Sequence, residues 1–126
     1  MNPYEELFET VIEYCKKTGY PTFDYLPDES QGYPFIMVGN QINNDIYAKD
    51  FVTGTSNLTI HVFAEYNYRA EVATIMEQIQ QLIPKFITTN HYLFGLTGSS
   101  SNILGETADS IQLHHGPVSY THLRAH

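Results

Sequence analysis

The sequence holds no tryptophan, a single cysteine and only six Lys and Arg among 126 residues. Each shortage excludes something. Cys15 alone cannot form an internal disulfide, and it suits a reducing compartment. Six basic side chains against fourteen acidic ones give a formal net charge of −8. That is the wrong sign for a surface that displaces counterions from DNA or RNA, and for docking on anionic lipid. No apolar run approaches the ~20 residues of a membrane-spanning helix, and residues 1–13 are acidic and amphipathic, unlike a secretion signal. The chain is expected to fold in a cytoplasm, with no membrane and no specific nucleic-acid partner.

Chemical signatures are as scarce. Gly95-Leu96-Thr97-Gly98 lacks the lysine and helix start of a phosphate loop. The polar residues 40–50 lack the regular oxygen spacing and terminal Glu of a calcium loop. His114 and His115 are adjacent, so in a strand they point to opposite faces and cannot readily share a metal. His61 and His91 fall in separate predicted strands without supporting Cys or carboxylate spacing. Cys15 sits in an apolar helical stripe, where a thiol is usually inert. Ser99-Ser100-Ser101 lies in a predicted Gly/Ser linker, not on a nucleophile elbow. Glu65, ending the best strand, is the one well-placed acid. The residues therefore predict no catalytic, cofactor or metal site. Two other classes stay open: a small-ligand-binding or regulatory α+β module, and a hydrolase using His114 or His61 with Glu65.

What the sequence does contain is the pattern of one α+β domain, of a size that supports one hydrophobic core. Asn2 can cap a helix that Pro3 opens. Tyr4, Leu7, Phe8, Val11, Ile12 and Cys15 then repeat at i, i+3, i+4, i+7, a single buried stripe. Lys16 and Lys17 suit the last turn and Gly19 the stop. Short strands are predicted at 22–26 and 33–39. The second has the apolar centre Phe35-Ile36-Met37-Val38 of a strand covered on both faces. The clearest strand is 56–66, where Leu58, Ile60, Val62 and Ala64 alternate with Thr59, His61, Phe63 and Glu65. Asn67 is expected to cap a second helix with the stripe Val72, Ile75, Met76, Ile79, Leu82 and Ile83, ended by Pro84. Strands at 91–96 and 110–115 follow, joined by a flexible linker at 97–102. This arrangement predicts a mixed, mostly antiparallel sheet of four to five strands with two amphipathic helices packed on one side.

Residues 40–54 form the segment without an obvious intramolecular home. They are polar, yet carry Ile42, Ile46, Tyr47 and Phe51, and are read as a long loop or protruding hairpin. Those four are the candidate interface residues, apolar anchors for a neighbouring subunit.

Taken in order, Phe23-Asp24-Tyr25-Leu26-Pro27, Tyr33-Pro34-Phe35-Ile36-Met37-Val38-Gly39, Leu58-Thr59-Ile60-His61-Val62-Phe63-Ala64 and the helix with Ile75-Met76-Glu77-Gln78-Ile79 resemble the tail completion, or tail terminator, proteins of long-tailed phages. Leu113-His114-His115-Gly116 looks like the start of that family's closing strand. The resemblance spans roughly residues 1–116, and its motifs are structural. It implies a ring of identical subunits, a hexamer, that caps the tail tube and joins it to the head connector, with no catalytic residue. The implied partners are further copies of the chain, the tail tube protein and the head–tail connector. The implied place is the virion tail, reached from the host cytoplasm during assembly. An acidic ring would also repel DNA phosphates and let a genome slide through.

Residues 117–126 depart from this pattern. Val118-Ser119-Tyr120-Thr121-His122-Leu123-Arg124-Ala125-His126 resembles translated sequencing adapter, of the kind found at the broken ends of reading frames assembled from environmental DNA. The expectation is a domain at 1–116 and a non-native, poorly packed extension at 117–126.

Overall fold

The computed structural model describes residues 2–28, 30–108 and 111–125. Ser110, the expected start of the last strand, lies outside the described residues, as do Glu29 and His126.

The first helix, α1 (Pro3–Lys16), forms as its sequence dictates. Asn2 Oδ1 accepts from the Tyr4 amide at 2.8 Å, supplying one orphan N–H with a partner. Gly19 takes φ of +87°, a left-handed conformation that costs glycine little. The chain continues through β1 (Thr22–Phe23), β2 (Phe35–Tyr47) and β3 (Val52–Glu65). A 3₁₀ turn (Tyr66–Tyr68) leads into α2 (Arg69–Leu82), and then come β4 (Phe86–Thr88), β5 (Leu93–Ser101), β6 (Leu104–Ala108) and β7 (Ile111–Arg124). Asn67 does not cap α2: the cap position is Tyr68, with no side-chain hydrogen bond, because the 3₁₀ turn absorbs Asn67.

Among the described residues the strands form one seven-stranded sheet in the order β1-β2-β3-β7-β5-β4, with β6 also beside β7. Only β1–β2 is parallel; the other pairs are antiparallel. The expected α+β class and antiparallel bias hold, but the count of four to five strands was too low. Residues 40–54, expected as a long loop or a protruding hairpin, and 97–102, expected as a linker, supply much of the added strand, although they are rich in Asn, Gly and Ser. A strand whose side chains face solvent needs no apolar alternation, so composition left the first undecided and hid the second. Conversely, the first predicted strand shrinks to Thr22–Phe23.

Alternation separates the faces of the sheet. Ile36, Val38, Leu58, Ile60, Val62, Ala64 and Val118 form one core with Leu7, Val11 and Cys15 of α1 and Val72, Ile75, Met76 and Ile79 of α2. Phe8 and Ile12, expected in that core, are only partly buried at its margin. The opposite face carries an aromatic row across the strands. Ring centroids lie 6.1 Å apart for Phe23–Phe35, 5.1 Å for Phe35–Phe63 and 4.4 Å for Phe63–His115.

The structure differs from expectation most at the C-terminal end. Residues 117–124 are not loosely placed; they complete β7 between β3 and β5. Val118, Tyr120 and His122 point inward and are buried. The reason is local: Val-Ser-Tyr-Thr-His has a period of two and β-favouring residues, which suffices to fill a strand slot.

Candidate docking arm

Register carries the buried core residue Phe94 through Arg124 and Gly54 to Asp45, so the end of the β2–β3 hairpin, residues 46–53, reaches past the core. Its tip closes through a four-residue turn, with the Ala48 amide donating to the Phe51 carbonyl at 2.9 Å. All four candidate interface residues sit on this arm. Ile42 is 62% exposed, Ile46 44%, Tyr47 76% and Phe51 37%, and Val52 beside them is 45% exposed. The structure thus gathers Ile42, Ile46, Tyr47 and Phe51 on one hairpin, and gives the hairpin reading of the segment rather than the long loop.

The base of the arm is fastened to the domain by polar contacts that sequence reasoning missed. Tyr4 Oη of α1 donates to Asp45 Oδ1 at 2.5 Å. Burial, then that hydrogen bond and the charge of Asp45, push the Tyr4 phenol up to about 12. Gln41 Nε2 donates to the Tyr4 carbonyl and to Ser56 Oγ, both at 3.0 Å, and Ser56 Oγ donates onward to Asn43 Oδ1 at 2.7 Å. From the β7 side, Arg124 Nη2 donates to the Val52 carbonyl at 2.8 Å. Its guanidinium lies 6.0 Å from the Tyr4 ring centroid and 5.7 Å from that of Tyr92, within cation–π range. Gly54 lets the arm close down: a Cβ there would lie 2.7 Å from the Asn44 carbonyl and would overlap Tyr4 Oη. The arm therefore turns its anchoring polar side chains Gln41, Asn43 and Asp45 to the helix side and leaves Ile42 and Ile46 exposed on its other face.

The histidines divide differently from the sequence reading. His91 is not in a strand but in the turn before β5. Its ring Nδ1 and backbone amide both donate to the Glu6 carboxylate, at 2.8 Å and 3.1 Å. Burial would raise the Glu6 acid, but these bonds and one from Thr89 together hold it below the usual carboxylate value. His114 and His115 do point to opposite faces. His114 stacks on Tyr66 at 4.7 Å, whereas His115 joins His61 on the aromatic face, Nε2 to Nδ1 at 2.6 Å. His115 Nδ1 in turn donates to Glu106 Oε1 at 2.6 Å. With neutral rings, that bond makes His61 Nδ1 the donor to His115 Nε2 and leaves His61 Nε2 a buried acceptor without a partner among the described residues. Burial, and secondarily His115, lower the His61 pKa.

Glu106, not Glu65, is thus the acid of this relay. Glu65 closes β3, four strand residues or roughly 13 Å from His61, and on the opposite face from His114. Ser99, Ser100 and Ser101 lie exposed on β5, and Cys15 is buried, its thiol pushed up to about 12 by burial. Among the described residues no group of three or more His, Cys, Asp or Glu could hold a metal ion. No described helix is long and apolar enough to cross a membrane.

No protein-family model matches the chain, and no curated protein matches it. Solved structures do. A chain from the virion of the native gene transfer agent (GTA) particle superimposes with a TM-score of 0.63 at 11% identity. The match covers 97% of this chain and 91% of that one. At such identity the likeness is one of fold.

Proposed function

We propose that this chain is a structural protein of a phage-like virion, which caps the tail tube as a ring of its own copies and joins it to the head connector. The observation that carries the reading is the fold shared over nearly the whole chain with a component of a gene transfer agent virion. The docking arm supports it: a hairpin anchored to its own domain on one face and carrying exposed apolar side chains on the other suits a subunit that grips neighbours. On this reading the chain works in the virion tail after assembly in the host cytoplasm, its partners are proteins, and its role requires no catalysis or cofactor. Gold-labelled antibody against the chain should decorate the head–tail junction of particles in electron micrographs. Particles from a producer lacking the gene should be found as separate heads and tails. Label elsewhere on the particle, or joined particles without the gene, would overturn the joining role.

A further inference from the structure

The two edges of the sheet are bare over matching stretches. On one side β1 covers only Ile36 and Met37 of β2, and no described strand pairs with the outer edge of β2 beyond them. On the other side β4 covers Leu93, Phe94 and Gly95 of β5, and the Leu96 amide is held by the Lys85 carbonyl. Past these, residues 98–101 of β5 have β7 on one side and no described strand on the other. Natural sheets defend such edges with charged side chains, Pro, β-bulges or covering loops. Residues 38–43 read Val-Gly-Asn-Gln-Ile-Asn and residues 98–101 read Gly-Ser-Ser-Ser. Neither stretch has a Lys, a Pro or any charged side chain; β2 carries one bulge there, at Asn40 with φ of +54°, and the pairing across the sheet steps over it.

The bare stretches also lie at the same height. Register carries Val38 across Ile60 and Val118 to Ser101, and Gly39 across Thr59 and Ser119 to Ser100. It carries Gln41 across Leu58 and Tyr120 to Ser99, and Ile42 across Asn57 and Thr121 to Gly98. Between the edges the strands β2, β3, β7 and β5 alternate in direction at every step. Four alternating strands make the two edges run oppositely. A second copy placed beside the first by rotation alone then meets β2 with an antiparallel β5, needing no slide along the strands. Antiparallel addition at a free edge is an established mode of recognition.

We infer that β2 residues 38–43 of one copy pair with β5 residues 98–101 of the next, head to tail, so that the sheet continues from subunit to subunit. The partner is a second copy of this chain because both halves of the joint are present on every copy and match in height and direction. A two-fold joint between two β2 edges would satisfy one edge and leave β5 bare. The repeated contact is heterologous and uses both. This pairing deepens the ring reading above and can fail separately from it.

The test uses Ile42→Cys and Gly98→Cys, which the registers place level on the outer face. Ile42 is exposed, a Cβ at Gly98 meets nothing within 4 Å, and the native Cys15 is buried and does not compete. The double variant, oxidised mildly, should lose its monomer band on a non-reducing gel and give linked oligomers. A mixture of the two single variants should give only mixed disulfide dimers, shown by mass after isotope-labelling one chain. Circular dichroism of each single variant verifies folding before oxidation. Disulfides between two copies of the Ile42→Cys variant would put β2 against β2 and overturn the inference. Self-assembly without any 42–98 link would overturn it while leaving the ring. A linked series growing into open filaments would uphold the edge pairing and remove the ring.

Discussion

At the scale of single residues, the tightest constraints fall on one glycine and one histidine of β7. Gly116 of β7 faces α2, and a Cβ there would come within 2.7 Å of Val72 Cγ1 and would overlap Met76 Sδ. The Met side chain can move, but the β-branched Val72 is held in its rotamer by the helix. Gly116→Ala should therefore cost about 1–3 kcal/mol by overpacking, read as a lower urea midpoint at unchanged slope. An unchanged midpoint would mean that α2 sits further from β7 than the structure places it. His122 poses the opposite problem. It is 0% exposed and neither ring nitrogen has a partner among the described residues, and the hydroxyl of Tyr120 is likewise unpartnered. Burying a polar group unpaired costs about 1–3 kcal/mol, so His122→Leu should stabilise the fold by an amount of that order.

The same histidine sets a pH dependence. Burial lowers the pKa of His122, and burial with His115 lowers that of His61, both from 6.5. Above that value the folded and unfolded chains bind no proton at these sites. Below it the unfolded chain takes up protons that the folded chain resists, so stability falls as pH drops from 6.5 toward the lowered folded values. Chemical denaturation at about pH 7.5 and about pH 5.5 should show a lower midpoint in the acid sample, and His122→Leu should shrink the difference. Glu6 does not contribute in that window: its lowered carboxyl loses stability only below its ordinary value of 4.5. A midpoint that rises on acidification would contradict both assignments.

At the scale of elements, α1, α2 and the helix-facing half of β3 were legible in the sequence, because burial on one side writes a period of 3.6 or 2. Leu7, Val11, Ile60, Val62, Ile75 and Ile79 all lie in the core as that period requires. The hairpin arm was legible only as one of two readings, and β5 only in its first half, as the strand expected at 91–96. Their outer portions are held by backbone pairing and by side-chain anchors such as Tyr4–Asp45 and Gln41–Ser56, which join residues distant in sequence and leave no local pattern. The last half of β7 was misjudged for a related reason: pairing with β3 and β5 constrains the backbone, and nearly any alternating segment meets that demand. Its unpartnered Tyr120 and His122 fit the proposal that residues 117–126 were not selected together with the rest. Ile42, Ile46, Tyr47 and Phe51 were picked out by the lack of a home for them, and the structure places them exposed on the arm. The substitutions Ile46→Ser and Tyr47→Ser should leave monomer stability within about 0.5 kcal/mol, as at other exposed sites, and should weaken self-assembly. Unfolding of the doubly substituted monomer would assign the arm to the core instead. Amide exchange should be fast at the arm tip in the monomer and slow on assembly, whereas Asn43 to Asp45, tied to α1, should already be slower than Tyr47 to Phe51.

At the scale of the whole molecule, charge and shape pull assembly in opposite directions. Each copy carries a formal charge of −8, so copies brought together repel one another over the screening length, about 10 Å at 0.1 M salt. The attractions available to the chain are of another kind. The arm offers Ile42, Ile46 and Tyr47, whose burial salt does not oppose, and the edges offer backbone hydrogen bonds between neutral groups. Added salt therefore screens the repulsion and leaves the attraction, so self-association should strengthen as ionic strength rises. That is the reverse of the sign expected for a nucleic-acid-binding protein, whose affinity falls steeply with salt as counterions are recaptured. Sedimentation equilibrium across roughly 0.02 to 0.3 M NaCl, a range over which the screening length falls about fourfold, should show the monomer fraction decreasing steadily. Association that weakens over that range would mean that the contact is made by opposed charges, and would move the interface from the apolar arm and the bare edges to a patch where the six basic side chains meet the acids of a neighbour.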